Sequence, residues 1–270
     1  MAYPFETLVF AFGLSLFAGL STAIGGALSF LTSKTNTKFL SLALGFSAGV
    51  MIYISFVEIF PEARHALNES FGESKGGWLT VAGFFAGIIF IGIIDRLIPS
   101  YENPHEIRKV EEMNNPGKMK QQKLLRVGLF TAVAVGIHNF PEGMASFTAA
   151  LIEPELGIAI AIAIAIHNIP EGIAVSVPVF FATGSKKKAF WAAFLSGLAE
   201  PIGALLVWLI LMPFMSQAML GIIFSMIAGI MVFISLDELL PAAEEYGEHH
   251  LSIYGLIAGM AIMAVSLLVL

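Results

Sequence analysis

Eight apolar runs divide the chain, at residues 5–31, 39–60, 78–98, 124–150, 156–181, 188–212, 217–241 and 251–270. About 20 apolar residues suffice to cross roughly 30 Å of hydrocarbon as a helix. A water-soluble bundle of so many helices would need polar outer faces. Only 13% of residues are charged and 57% are apolar, which leaves nothing to build such faces from. The chain therefore reads as an all-α polytopic membrane protein, one transmembrane domain over residues 1–270. Most connections are short. The exception, 99–123, is polar and charged and contains Asn114-Asn115-Pro116-Gly117, which predicts a mobile loop. There is no cysteine, so disulfides and thiolate metal sites are excluded.

Orientation follows from Lys and Arg, which favour cytoplasmic loops. Lys34 and Lys38 lie in the first connection. Arg96, Arg108, Lys109, Lys118, Lys120, Lys123 and Arg126 surround the third, and Lys186 to Lys188 form the fifth. These odd connections hold twelve of the fourteen basic residues, and the even ones only Arg64 and Lys75. Odd loops are thus expected in the cytoplasm and both termini outside, in a cytoplasmic (inner) membrane.

The chain repeats itself. AGVMIYISFVEIFPEA from Ala48 aligns without a gap on AGIMVFISLDELLPAA from Ala228, matching Ser55 with Ser235, Glu58 with Glu238 and Pro61 with Pro241. GLSTAIGGA from Gly19 likewise resembles GLAEPIGAL from Gly197. Gly83-x-x-x-Gly87 in the third span has a counterpart in Gly255-x-x-x-Gly259 in the eighth. Spans 1–3 therefore recur as spans 6–8. With two spans between, the second copy starts from the opposite side, giving a 3+2+3 plan with an inverted-topology repeat. In such transporters the substrate sits near the midplane.

The two central spans carry the chemistry. His138-Asn139-Phe140-Pro141-Glu142-Gly143 and His167-Asn168-Ile169-Pro170-Glu171-Gly172 differ at one apolar position, each near the middle of its span. His at i and Glu at i+4 share a helix face, and Asn at i+1 neighbours the same Glu. One carboxylate can thus serve two adjacent positions. Proline removes a backbone N–H and kinks the helix. Carboxylates at mid-bilayer cost several kcal/mol unless paired, and residues 127–185 contain no Lys or Arg. Glu200, beside Pro201 in span 6, adds a third acid. Imidazole, amide oxygen and carboxylate without sulfur suit Zn²⁺, Fe²⁺, Mn²⁺, Co²⁺ or Cd²⁺.

At these residues the sequence resembles the ZIP (Zrt-, Irt-like) family of divalent metal transporters, and within it the bacterial zinc-uptake type, over essentially the whole chain. The resemblance implies uptake of divalent metal, zinc foremost, through a binuclear site. One metal position would use His138, Glu142, His167 and Glu171. The other would use Asn139, Asn168 and Glu200, with Glu142 and Glu171 bridging. It further implies a homodimer, a possible pathway role for Met51, and sliding of spans 1, 4, 5 and 6 against spans 2, 3, 7 and 8.

Glu58, Asp237 and Glu238 place acids near both mouths, where they could funnel cations. His105, in the loop after span 3, and His249 with His250, before span 8, could capture metal in the cytoplasm. No Gly-x-x-x-x-Gly-Lys-Ser/Thr is present, so ATP is not expected as a partner, and neither is nucleic acid. No catalytic cofactor is expected, only Zn²⁺ or another divalent metal as bound substrate. The chief rival reading is an intramembrane metalloenzyme, against which no His-Glu-x-x-His appears. A third is a sensory or structural membrane protein with incidental metal binding.

Overall fold

A computed structural model describes residues 3–28, 30, 37–97, 121–214, 216–246 and 249–269, all as helices and their short connections, with no strand among them. His105 lies outside the described residues, as do the side chains of His138, His167, Glu238 and His249. So does all of the expected 99–123 loop up to residue 120; its last three residues are already helical.

Eight long helical elements follow in order. Helix α1 is Phe5–Leu28. Helix α2 runs through Thr37–Ile54, a π-helical turn Ser55–Ile59 and Phe60–Phe71. Helix α3 is Glu73–Leu97, α4 is Gln121–Ile152 and α5 is Pro154–Thr183. Helix α6 comprises Lys186–Gly197, Ala199–Leu206, a π turn Val207–Leu211 and a 3₁₀ turn Met212–Phe214. Helix α7 comprises Gln217–Ile234, a π turn Ser235–Leu239 and Leu240–Tyr246, and α8 is His249–Val269. Among the described residues seven of these are long and apolar enough to cross a membrane, and α4, at 32 residues, is the eighth long helix.

The second span is longer than expected. Helix α2 does not stop at Pro61 but continues to Phe71, so the connection predicted around 61–77 shrinks to Gly72. Arg64 and Lys75 therefore sit on helices. The π turn explains the continuation. Phe60 N–H reaches back five residues to Ser55 O, and Pro61, next in line, has no N–H to place. The same device recurs where Leu240 N–H meets Ser235 O before Pro241, and where Met212 N–H meets Val207 O before Pro213. The first two lie 180 residues apart, the offset of the repeat. Helices α4 and α5 pass through Pro141 and Pro170 without interruption.

Two chain reversals require glycine. Gly72 has φ 82° and ψ 157°, and Gly184 has φ 63° and ψ 8°. A side chain at either would meet open space, so only backbone strain opposes it. Gly72 lies in a region populated almost solely by glycine, with strain of about 1–3 kcal/mol. Gly184 is an ordinary left-handed cap, worth about 1 kcal/mol. Gly72→Ala is expected to lower the unfolding temperature in detergent more than Gly184→Ala does, and equal shifts would contradict this ranking.

The packing sorts the helices into two sets. In one, α1 and α4 lie against α5, and α6 crosses α1, α4 and α5. In the other, α2 packs on α8 and α7 on α3, with α7 also against the Phe60–Phe71 part of α2. Contact between the sets is lighter and runs mainly through α5 with α2 and α4 with α7. The glycine motifs belong to these pairings within one chain. A Cβ on Gly49 or Gly259 would overlap a carbonyl across the α2–α8 seam, and one on Gly87 or Gly229 would do so across the α3–α7 seam. Such close approach is how membrane helices pack without a hydrophobic drive between them.

Exposure is reversed relative to a soluble protein. Trp78, Phe85, Ile89, Leu209, Ile257 and Leu268 face outward, while Ser15, Thr22, Asn139, Glu142, Asn168 and Glu200 are buried. That distribution suits lipid outside and polar chemistry within, and the chain is a multi-pass membrane protein.

Candidate metal site

The two six-residue motifs stand on α4 and α5, the pair at the centre of the first helix set. Each ends in a glycine that lets another helix in. A Cβ on Gly143 would overlap the carbonyl oxygen of Glu200 on α6, and one on Gly172 would overlap that of Thr22 on α1. One turn further along α1 and α6, Gly25 meets the carbonyl of Ile169 and Gly203 that of Phe140. Gly19 and Gly197 meet each other reciprocally. Every one of these contacts maps onto its partner by a shift of 178 residues between α1 and α6. The sequence alignment of Gly19 with Gly197 is thus also a spatial one, with α4 exchanged for α5.

Three carboxylates converge on this crossing. Glu142 is 1% exposed, Glu171 7% and Glu200 0%. Glu142 and Glu171 both lie near Glu200. The asparagines stitch them together. Asn168 Nδ2 donates to Glu200 Oε1, and to the Ala18 carbonyl at 3.0 Å. Asn139, with its amide nitrogen toward Glu171, donates to Glu171 Oε2 at 3.2 Å and to Val135 O at 3.1 Å. The opposite amide orientation gives only a 3.4 Å contact to Ser196 O and turns the amide oxygen toward the carboxylate. Behind the motif, Ser15 Oγ bridges Ser146 Oγ (2.8 Å) and the Gly143 carbonyl (3.2 Å), tying α1 to α4.

Among the described residues, Asn168 Oδ1 and Glu200 Oε2 are buried without a hydrogen-bond partner. Unpartnered buried oxygens of this kind are rare and call for an explanation. Oxygens of this kind are what a divalent cation would take as ligands. Among the described residues no three His, Asp or Glu side chains group closely enough to hold a metal by themselves. The donors present are carboxylates interleaved with asparagines, and helical register puts His138 and His167 one turn before Glu142 and Glu171.

The remaining candidates lie apart. Met51 is 1% exposed and belongs to the apolar core that also holds Ala145, Ala163 and Ile164. Glu58 is half-buried within the π turn of α2, and Asp237 is exposed within that of α7. His250 is exposed and stacks on Tyr254 at 6.2 Å. Lys186, Lys187 and Lys188 are exposed, with Lys186 Nζ over the Phe30 ring at 5.7 Å. The π turns and Thr22 were not singled out from sequence. The π turns of α2 and α7 had a readable signal, a proline beyond which helical pattern continues.

Residues 96–267 match the family model described as ZIP Zinc transporter. Three proteins called Zinc transporter ZupT are similar over nearly their whole length. That of Lysinibacillus sphaericus is 62% identical over 97% of this chain and 98% of its own. That of Oceanobacillus iheyensis is 60% identical over 98% and 99%, and that of Streptococcus mutans 62% over 97% and 98%. Both the family match and these relatives span the two HNxPEG helices, and the chain belongs to the ZIP zinc transporter family.

Proposed function

We propose that this protein takes up divalent transition metal, zinc foremost, across the cytoplasmic membrane through a binuclear site on α4, α5 and α6. The observation that carries the reading is the buried trio Glu142, Glu171 and Glu200, laced by Asn139 and Asn168, with Asn168 Oδ1 and Glu200 Oε2 partnerless among the described residues. One metal would take His138, Glu142, His167 and Glu171, and a second Asn139, Asn168 and Glu200, with Glu142 and Glu171 shared. The asparagine nitrogens donate to the carboxylates of Glu200 and Glu171. Rotation of either amide brings its oxygen round to a cation. The same donors accept Fe²⁺, Mn²⁺, Co²⁺ or Cd²⁺. A +2 ion moving inward through 100 mV gains about 4.6 kcal/mol.

The 3+2+3 inverted repeat belongs to the same proposal. The 178-residue correspondence of α1 with α6 and the paired π turns of α2 and α7 support it. The split into a set of α1, α4, α5 and α6 and a set of α2, α3, α7 and α8 supports sliding of one against the other. Glu58, Asp237 and Glu238 serve as acids at the mouths, Met51 as an occasional pathway contact, and His105, His249 and His250 as cytoplasmic metal capture. Both termini are placed outside, the protein is a homodimer, and residues 1–270 form one domain whose 99–123 loop is cytoplasmic.

The deciding measurement is ⁶⁵Zn²⁺ uptake into proteoliposomes, with Fe²⁺, Mn²⁺ and Cd²⁺ as competitors. Saturable uptake is expected, and its absence under every gradient would remove the transport reading. Asn139→Ala and Glu200→Ala are expected to change metal preference or rate while leaving measurable flux. If both are as inactive as loss of Glu142 or Glu171, the two metal positions are not separable.

A further inference from the structure

The correspondence between α1 and α6 puts Thr22 where Glu200 stands. Thr22 aligns with Glu200 at the shift of 178, and the backbone confirms the match. Gly172 meets the Thr22 carbonyl as Gly143 meets that of Glu200. Ala18, whose carbonyl accepts Asn168 Nδ2 at 3.0 Å, corresponds to Ser196, whose backbone lies beside the Asn139 side chain. The neighbourhood of Asn168 and Glu200 thus has a mate built from Asn139 and Thr22.

Thr22 is fully buried, and its Oγ1 has no hydrogen-bond partner among the described residues. A threonine in a helix ordinarily donates to the carbonyl four residues back. Here that carbonyl is Ala18 O, and it already accepts Ser21 Oγ at 2.6 Å and Asn168 Nδ2 at 3.0 Å. Two lone pairs are thereby used. The side chain instead points across the crossing, with Oγ1 3.0 Å from where a Cβ on Gly197 would stand, next to Ser196. A buried hydroxyl without a partner keeps its lone pairs free, on a residue whose backbone packs against Gly172, directly after Glu171.

Resting on the two-metal reading, we propose that the Thr22 hydroxyl is an oxygen donor to the metal in transit, the neutral α1 counterpart of Glu200. Within the position of Asn139, Asn168 and Glu200, the α6 wall then offers a carboxylate and the α1 wall a neutral hydroxyl. The carboxylate holds the metal and the hydroxyl adds one weaker oxygen. A second carboxylate in place of Thr22 would hold the metal more tightly and release it more slowly.

Three variants separate this role from packing. Thr22→Val keeps the shape and loses the hydroxyl. Thr22→Ser keeps the hydroxyl and loses the methyl. Thr22→Asp installs a carboxylate. Zinc binding to purified protein by equilibrium dialysis and ⁶⁵Zn²⁺ uptake are measured together, with Glu171→Ala alongside. The zinc KM is expected to rise about three- to tenfold in Thr22→Val, the scale of one lost polar contact, and to stay within about twofold in Thr22→Ser. Thr22→Asp is expected to bind additional or tighter zinc and to turn over more slowly. If Thr22→Ser is the damaged variant, or Val and Ser match wild type, Thr22 is a packing residue and the proposal falls. If wild type binds no zinc, or binds it as well as Glu171→Ala, the two-metal reading itself has failed.

Discussion

Glu171→Ala, and separately Glu142→Ala, is expected to reduce zinc uptake by at least about 100-fold while the protein remains in the membrane at normal abundance. Both parts follow from burial. Glu171 and Glu142 are 7% and 1% exposed, on neighbouring helices. In the proposed binuclear site each is shared between two metal positions. Removing an outer partner of a metal ligand costs roughly 10–100-fold, and losing a shared ligand costs more. Folding should not suffer, because an ionised carboxylate in an apolar interior is itself costly. Alanine relieves that cost and leaves the Asn139 amide its second acceptor, Val135 O. Uptake is read in proteoliposomes and abundance by immunoblot of membranes. Near-normal flux in both variants would sink the shared-carboxylate site, whereas loss of protein from the membrane would assign these residues to folding.

Much of the molecule was legible in its sequence because two strong constraints act on it. Lipid demands long apolar helices, so the spans are readable to within a few residues except where helices outlast their apolar core. Helix α2 shows the exception: FPEARHALNESF from Phe60 is polar, yet it stays helical to Phe71. Intramembrane Asn and Glu are costly enough to reveal themselves, and the structure brings Asn139, Glu142, Asn168, Glu171 and Glu200 to one crossing. The π turns of α2 and α7 left one readable trace, a proline with helical pattern continuing beyond it, but Pro141 and Pro170 carry the same trace without a π turn, so the trace alone does not locate them. Thr22 was hidden for another reason. A threonine in an apolar helix is unremarkable until its own acceptor carbonyl proves occupied by Ser21 and Asn168.

The glycines of the repeat show how packing and site are one construction, and they carry the second large prediction. Gly143 and Gly172 sit directly after the two shared glutamates, and at both a methyl group would strike backbone that cannot swing aside. Overpacking of this kind typically costs 1–3 kcal/mol, so Gly143→Ala and Gly172→Ala should destabilise the protein to a similar degree. Their effects on metal should differ. Gly143 touches the backbone of Glu200, so its alanine moves a carboxylate, and zinc affinity is expected to fall about 10–100-fold, as for a displaced ligand shell. Gly172 touches the backbone of Thr22, a neutral residue, and the loss there should be several times smaller. Gly13→Ala serves as the reference: nothing lies within 4 Å of its Cβ position, and alanine favours the helix by up to about 1 kcal/mol. Zinc binding and unfolding temperature measured on the same purified samples separate the two effects. If all three variants behave alike, α1 and α6 do not approach the motif helices at these glycines. If Gly172→Ala loses as much zinc affinity as Gly143→Ala, the α1 wall contributes to the metal on the same footing as α6.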